Sequence, residues 1–167
     1  MANALKAAGA AAAALALAVA TIAPWEGKRN APYRDPIGIL TVCYGETRVA
    51  MRRYSDAECA AMLEAAAGEF QEGVRRRNPA IAAFPHQWAA HTSFAYNVGL
   101  ATYGRSSVAR LLAAGRQAEA CRFIGRYVYA GGKPLRGLER RRAAETALCL
   151  KDAVPSWPTA SLLEAGL

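Results

Sequence analysis

An α+β fold, mostly helical, with a small β-hairpin lobe on a helical body, is predicted by three features of this 167-residue chain. Alanine makes up much of the 53% hydrophobic content, and alanine is the strongest helix former. Residues 26–50 break that pattern with Gly, Pro, Tyr, Thr and Val, and with alternating stretches such as Ile39-Leu40-Thr41-Val42. Helix start and stop signals then recur along the rest of the chain. The length suits one domain of ordinary size with an appended segment.

The appended segment comes first. Residues 7–23 carry no charge, with Lys6 just before them and Glu26 and Lys28 just after. As a helix this run spans roughly 26 Å, slightly short of a ~30 Å hydrocarbon core. Its strongly apolar residues are Leu15, Leu17, Val19 and Ile22; the rest is mainly alanine, which contributes little to membrane transfer. Four readings are open: a signal peptide cleaved at Ala18-Val19-Ala20, a stable membrane anchor, an anchor weak enough to leave the bilayer, and an alanine-rich helix of a soluble fold. The first three all export the chain.

The hairpin lobe follows. Ser55-Asp56-Ala57-Glu58 has the capping-box pattern and predicts a helix running to about Arg75, which Asn78-Pro79 breaks. A helix over Pro85 to Asn97 contains Trp88, Phe94 and Tyr96; Gly99 and Gly104 are expected to bracket a turn. Ser106 or Ser107 caps a helix reaching Gly115, and another covers about Arg116 to Tyr129. Ala130-Gly131-Gly132-Lys133-Pro134 reads as a loop before a final helix from Leu138 to Asp152. Pro155 and Pro158 then end regular structure, leaving a short tail. Residues 1–24 thus form one unit and 25–167 the other.

The net charge is +8 and suits an anionic partner: nucleic acid, anionic lipid or cell-wall polymer. No nucleic-acid motif is present. Arg75-Arg76-Arg77 and Arg140-Arg141-Arg142 read as solvated helix faces that also attract anionic polymer. The four cysteines, Cys43, Cys59, Cys121 and Cys149, contain no C-x-x-C pair, and there are two histidines, so metal-ligand spacing is lacking and no cofactor is expected. On an exported chain an even count suggests disulfides, with three full pairings open. His86 and His91, with no Cys or Asp pattern nearby in sequence, read as surface or groove residues rather than ligands.

Glycoside cleavage needs an acid to protonate the leaving oxygen and a group to direct water at the sugar carbon. Glu26 and Asp35 stand at the two ends of a short polar stretch. Glu26 follows Pro24-Trp25 at the end of an apolar run, a setting that suits a proton donor. Asp35 follows Arg34, a cation that suits a carboxylate acting on water, and the Thr41 hydroxyl on the next strand could hold that water. The spacing alone is weak. On spacing alone, a solvated charge beside a membrane segment, a turn residue before proline and ordinary strand propensity account for the three residues better.

The surrounding residues change that balance. Glu26-Gly27, Tyr33-Arg34-Asp35, Gly38 and Thr41-Val42-Cys43-Tyr44-Gly45 resemble the active-site hairpin of phage-type lysozymes, glycoside hydrolase family 24. Ser93-Phe94-Ala95-Tyr96-Asn97-Val98-Gly99 resembles the family's substrate-groove segment, followed by Arg105-Ser106-Ser107. Tyr129-Ala130-Gly131-Gly132-Lys133, Gly137-Leu138 and Arg140-Arg141-Arg142 resemble its C-terminal part. The resemblance spans residues 25 to about 150, and is strongest to the signal-anchor-release members, whose cysteines occupy similar places. There are departures: many members carry a histidine where this chain has Glu46, and some a glycine where Cys43 stands.

The resemblance implies a lysozyme-like fold and hydrolysis of the β-1,4 bond between N-acetylmuramic acid and N-acetylglucosamine in peptidoglycan. Glu26 would be the acid, Asp35 and Thr41 would position water, and Asn97, Gly99 and Ser106 would contact substrate. Disulfides Cys43–Cys59 and Cys121–Cys149 are expected. So is export to the periplasm as a monomer tethered at first to the inner membrane, inactive until release, with no nucleic-acid partner. Residues 1–23 contain no cysteine, so release would follow loss of membrane potential rather than thiol exchange. Two alternatives remain. A lytic transglycosylase would need no water-positioning pair. A non-enzymatic basic protein would disrupt membranes without cutting the wall.

Overall fold

The computed structural model describes residues 2–35 and 37–152, with side chains from Leu5 onward; the expected tail around Pro155 and Pro158 lies outside them. The elements run α1 (Ala2–Ile22), β1 (Arg29–Arg34), β2 (Leu40–Cys43), α2 (Asp56–Arg77), a 3-10 turn (Pro79–Ala83), α3 (Pro85–Val98), α4 (Leu100–Arg105), α5 (Ser107–Ala113), α6 (Gln117–Ile124), β3 (Tyr129–Ala130), β4 (Lys133–Pro134) and α7 (Arg136–Cys149).

At the centre lies α3, buried on every side from Gln87 to Ala95. Against it lies α1, whose buried positions Ala14, Ala18 and Ile22 recur every four residues and so form one face. The small Ala14 and Ala18 let the backbones approach, and the buried Gln71 amide of α2 donates to the Ala11 carbonyl of α1 at 2.8 Å. Within the apolar window Leu5–Ile22, mean hydropathy 1.8, the remaining surface faces outward, and Ala12, Ala13, Ala16 and Ala20 are exposed.

The start of α2 follows its sequence signal to the residue. Ser55 Oγ accepts from the Glu58 amide, and the Glu58 carboxylate accepts from the Ser55 amide at 2.7 Å. Arg52 also donates to Glu58 at 2.7 Å, and these bonds draw the Glu58 carboxyl down to about 2.

Two expected boundaries move. The segment after Gly99 is helix α4 rather than a turn. Gly99, at φ 84, is the break, and its amide closes α3 on the Ala95 carbonyl. Gly104 instead permits close approach: a Cβ there would meet Arg77 Nε at 2.6 Å. Helix α6 stops at Ile124 because Gly125 caps it, leaving Tyr129–Ala130 to pair with Lys133–Pro134 where a loop was expected.

The four cysteines form two disulfides. Cys43–Cys59 ties β2 to α2, and Cys121–Cys149 ties α6 to α7. These are the two pairs named above.

Candidate active site

Glu26 follows α1 by four residues and is about a quarter exposed. Its setting differs from the apolar one expected: Oε1 accepts a 2.9 Å hydrogen bond from Arg141 Nη1 of α7. Arg141 is buried, and its Nε donates to Glu145 Oε1 at 3.1 Å. The Ser93 hydroxyl of α3 donates to the same oxygen at 2.7 Å. Arg142, also buried, donates to Glu145 Oε2 at 2.5 Å, to the Tyr127 carbonyl at 3.0 Å and to Asn97 Oδ1. A chain of charges therefore runs from Glu26 through Arg141 to Glu145 and Arg142, inside the seam between α3 and α7.

Sequence reasoning missed this network, because a run of three arginines is usually a solvated face. The signal lay one turn further on: Glu145 stands four residues after Arg141 and three after Arg142, so all three meet on one side of α7. Arg140 is the exposed member of the run.

Asp35 and Thr41 come together at one corner of the hairpin. In the antiparallel pair Thr41 lies opposite Tyr33, and the register slips between Arg29 and Tyr33. The Ile39 carbonyl accepts from both the Asp35 amide, at 2.9 Å, and the Thr41 hydroxyl, at 3.0 Å. Asp35 Oδ1 accepts from the Ile37 and Ile39 amides at 3.0 and 2.8 Å, which closes the turn and fixes the carboxylate. Arg34 does not serve Asp35; its Nη1 donates to the Gly38 carbonyl at 2.8 Å. Thr41 is buried and Asp35 half-buried.

Two grooves adjoin the Tyr96-Asn97 segment of α3. Tyr96 lines one of about 240 Å³ with Tyr44, Glu46, Thr47, Arg48 and Phe70. Burial, then the charges of Glu26 and Glu46, push the Tyr96 hydroxyl up to about 12, so both carboxylates act on it. Asn97 lines the second, of about 490 Å³, with Tyr127, Tyr129, Leu135 and Arg142. Gly99 turns the chain just beyond it. Ser106 is a correction: it is buried as the N-cap of α5, with its hydroxyl donating to the Tyr103 carbonyl and accepting from the Ala109 amide, so it is not free for substrate.

Glu46 is held locally. Burial would raise its carboxyl, but bonds from the Arg48 and Thr47 amides and the Arg48 side chain outweigh that and lower it. Neither histidine is a plain surface residue. His86 is half-buried and bonds Asp152 at 2.8 Å, and His91 is fully buried. The tertiary fold brings them partners that are distant in sequence.

A small hairpin lobe on a helical body is the architecture of a lysozyme-type glycoside hydrolase. The chain belongs to the phage lysozyme family, whose model matches residues 23–145. Among its relatives, the SAR-endolysin of bacteriophage PS119 is 38% identical over 75% of this chain and 76% of that protein. The SAR-endolysin of Escherichia phage Mu is 38% identical over 70% and 69%. The fold is similar to the active form of the P1 phage endolysin Lyz, with TM-score 0.73 and 26% identity over 84% of this chain and 86% of that one. The protein is an endolysin-type lysozyme.

Proposed function

We propose that this enzyme hydrolyses the β-1,4 bond between N-acetylmuramic acid and N-acetylglucosamine, with inversion at the anomeric carbon. Glu26 Oε–H gives its proton to the leaving O4 as the C1–O4 bond breaks. Water held between Asp35 and the Thr41 hydroxyl attacks C1 from the opposite face and gives its proton to Asp35. The observation that carries this reading is the closed hairpin corner, where the Ile37 and Ile39 amides fix the Asp35 carboxylate and the Ile39 carbonyl accepts from both the Asp35 amide and the Thr41 hydroxyl. Such a pair suits hydrolysis and has no task in a transglycosylase, where the sugar's own hydroxyl attacks. Asn97 and Gly99 line the substrate groove.

The first 24 residues serve as a signal-anchor that releases. Exported to the periplasm, the protein is held by α1 in the inner membrane and acts as a monomer on the wall once freed, without nucleic acid. Glu26 follows α1 by four residues, so withdrawing α1 into a bilayer would also withdraw Glu26 from Arg141. The P1 endolysin that the fold resembles is in its active form, which supports reading the docked α1 as the released state.

The test is Glu26→Gln. It removes the transferable proton at constant shape, and turnover on purified peptidoglycan should fall at least ~10²-fold with the circular dichroism unchanged. Proton NMR of fresh wild-type product should show the α-anomer first. Near wild-type turnover by the variant would refute the role of Glu26, and an initial β-anomer would refute inversion.

A further inference from the structure

Outside the site, α3, α4, α6 and α7 converge on His91. It is fully buried, with Nδ1 3.0 Å from the Tyr103 hydroxyl, while Nε2 is buried with no partner. A ring nitrogen of His91 and the sulfurs of Cys121 and Cys149 all lie within 4.8 Å of one another. Among the described residues no other group of three His, Cys, Asp or Glu side chains stands so close. An unpaired imidazole nitrogen in an apolar core is a net cost to the fold, and an aliphatic side chain would fill the same space without it.

We propose that His91, Cys121 and Cys149 form a Cys2His site for a soft divalent cation of the zinc type whenever the Cys121–Cys149 bond is reduced. A dithiol gives up two electrons and two protons and becomes a disulfide, while the Cys121–Cys149 bond breaks to two thiols. Metal binding then releases those two protons and places thiolate, thiolate and imidazole on one ion, the softer donor set that zinc prefers, with a water completing four-coordination. Oxidation reverses this: the sulfurs rejoin, their electrons pass to an incoming disulfide, and the ion leaves. Disulfide and metal are therefore alternative clasps between α6 and α7, one for an oxidising compartment and one for a reducing one. Nothing here depends on the glycosidase assignment.

The experiment uses the full chain carrying Cys43→Ser and Cys59→Ser, reduced with a dithiol, freed of reductant under argon and titrated with Co2+. One equivalent should produce thiolate-to-cobalt absorption in the near ultraviolet and tetrahedral bands in the visible, both missing from the oxidised protein. Cys121→Ser with Cys149→Ser should abolish them, and His91→Leu should weaken binding at least ~10-fold. The His91 ring protons of the unsubstituted site should show paramagnetically shifted NMR signals, a readout that needs no variant at His91. No thiolate absorption, unshifted ring signals, or helix lost on reduction and not recovered with metal would each overturn the site.

Discussion

Cys43 has φ 58, the one positive value among the described non-glycine residues. Glycine takes this conformation freely, whereas a side chain in left-handed backbone costs about 1–2 kcal/mol. Against that stands the bond to Cys59, which closes a 16-residue separation and stabilises by about 3 kcal/mol. The disulfide outweighs the strain, so cysteine is tolerated. With Cys59→Ala as background, Cys43→Gly should be the more stable and Cys43→Ala the less stable by about 1 kcal/mol in urea melts. The reverse order would mean that the backbone here is not strained. Arg141 offers a sharper case. Arg141→Met removes the partner of Glu26 and one of two cations on the fully buried Glu145. Stability should fall by about 3–5 kcal/mol in the same melts, with wall hydrolysis lost as well. A loss below ~1 kcal/mol would show Arg142 alone suffices for Glu145.

At the scale of elements, legibility tracked how local each signal was. The capping box placed the start of α2 without error, since Ser55 and Glu58 act within one turn. The hairpin followed from alternation and turn residues. Helix α4 was misread because glycine has two uses, and Gly104 serves contact with Arg77 rather than turning. The catalytic candidates were legible by resemblance, but their supports were not, because Arg141 lies 115 residues from Glu26. The cap also gives a pH prediction. Glu58 is depressed to about 2 by Arg52 and then by the Ser55 bonds, so its contribution is complete above about 4.5 and lost as pH falls toward 2. Ser55→Ala should cost about 1 kcal/mol at neutral pH. Glu58→Gln should flatten the fall of the melting temperature between pH 4.5 and 2.5; an unchanged acid limb would show that other carboxylates govern it.

The whole molecule turns on α1. One face, Ala14, Ala18 and Ile22, belongs to the body, and the opposite face, including Ala12, Ala13 and Ala16, meets solvent. The sequence disclosed the weak hydrophobicity but not which alanines faced inward, since a run of identical residues carries no periodicity. Leucine at Ala12, Ala13 and Ala16 should strengthen insertion without disturbing the packed face, whereas leucine at Ala14 should overpack it. After depolarisation the triple variant should stay in the membrane fraction and cells should not lyse. The same variant, detergent-extracted and refolded, should cut wall at near wild-type rate. Prompt lysis by the triple variant would show that α1 hydrophobicity does not control release.

The two faces of α1 also separate two traits that selection would otherwise have to trade against each other. On the proposed release, the moment a cell bursts would depend on one side of this helix, and the rate at which its wall is cut on the other. Single changes among the outward alanines would then retune the lysis clock in small steps while the enzyme stays as it is. A phage meeting faster- or slower-growing hosts could thus adjust burst timing through a few codons of a 21-residue helix.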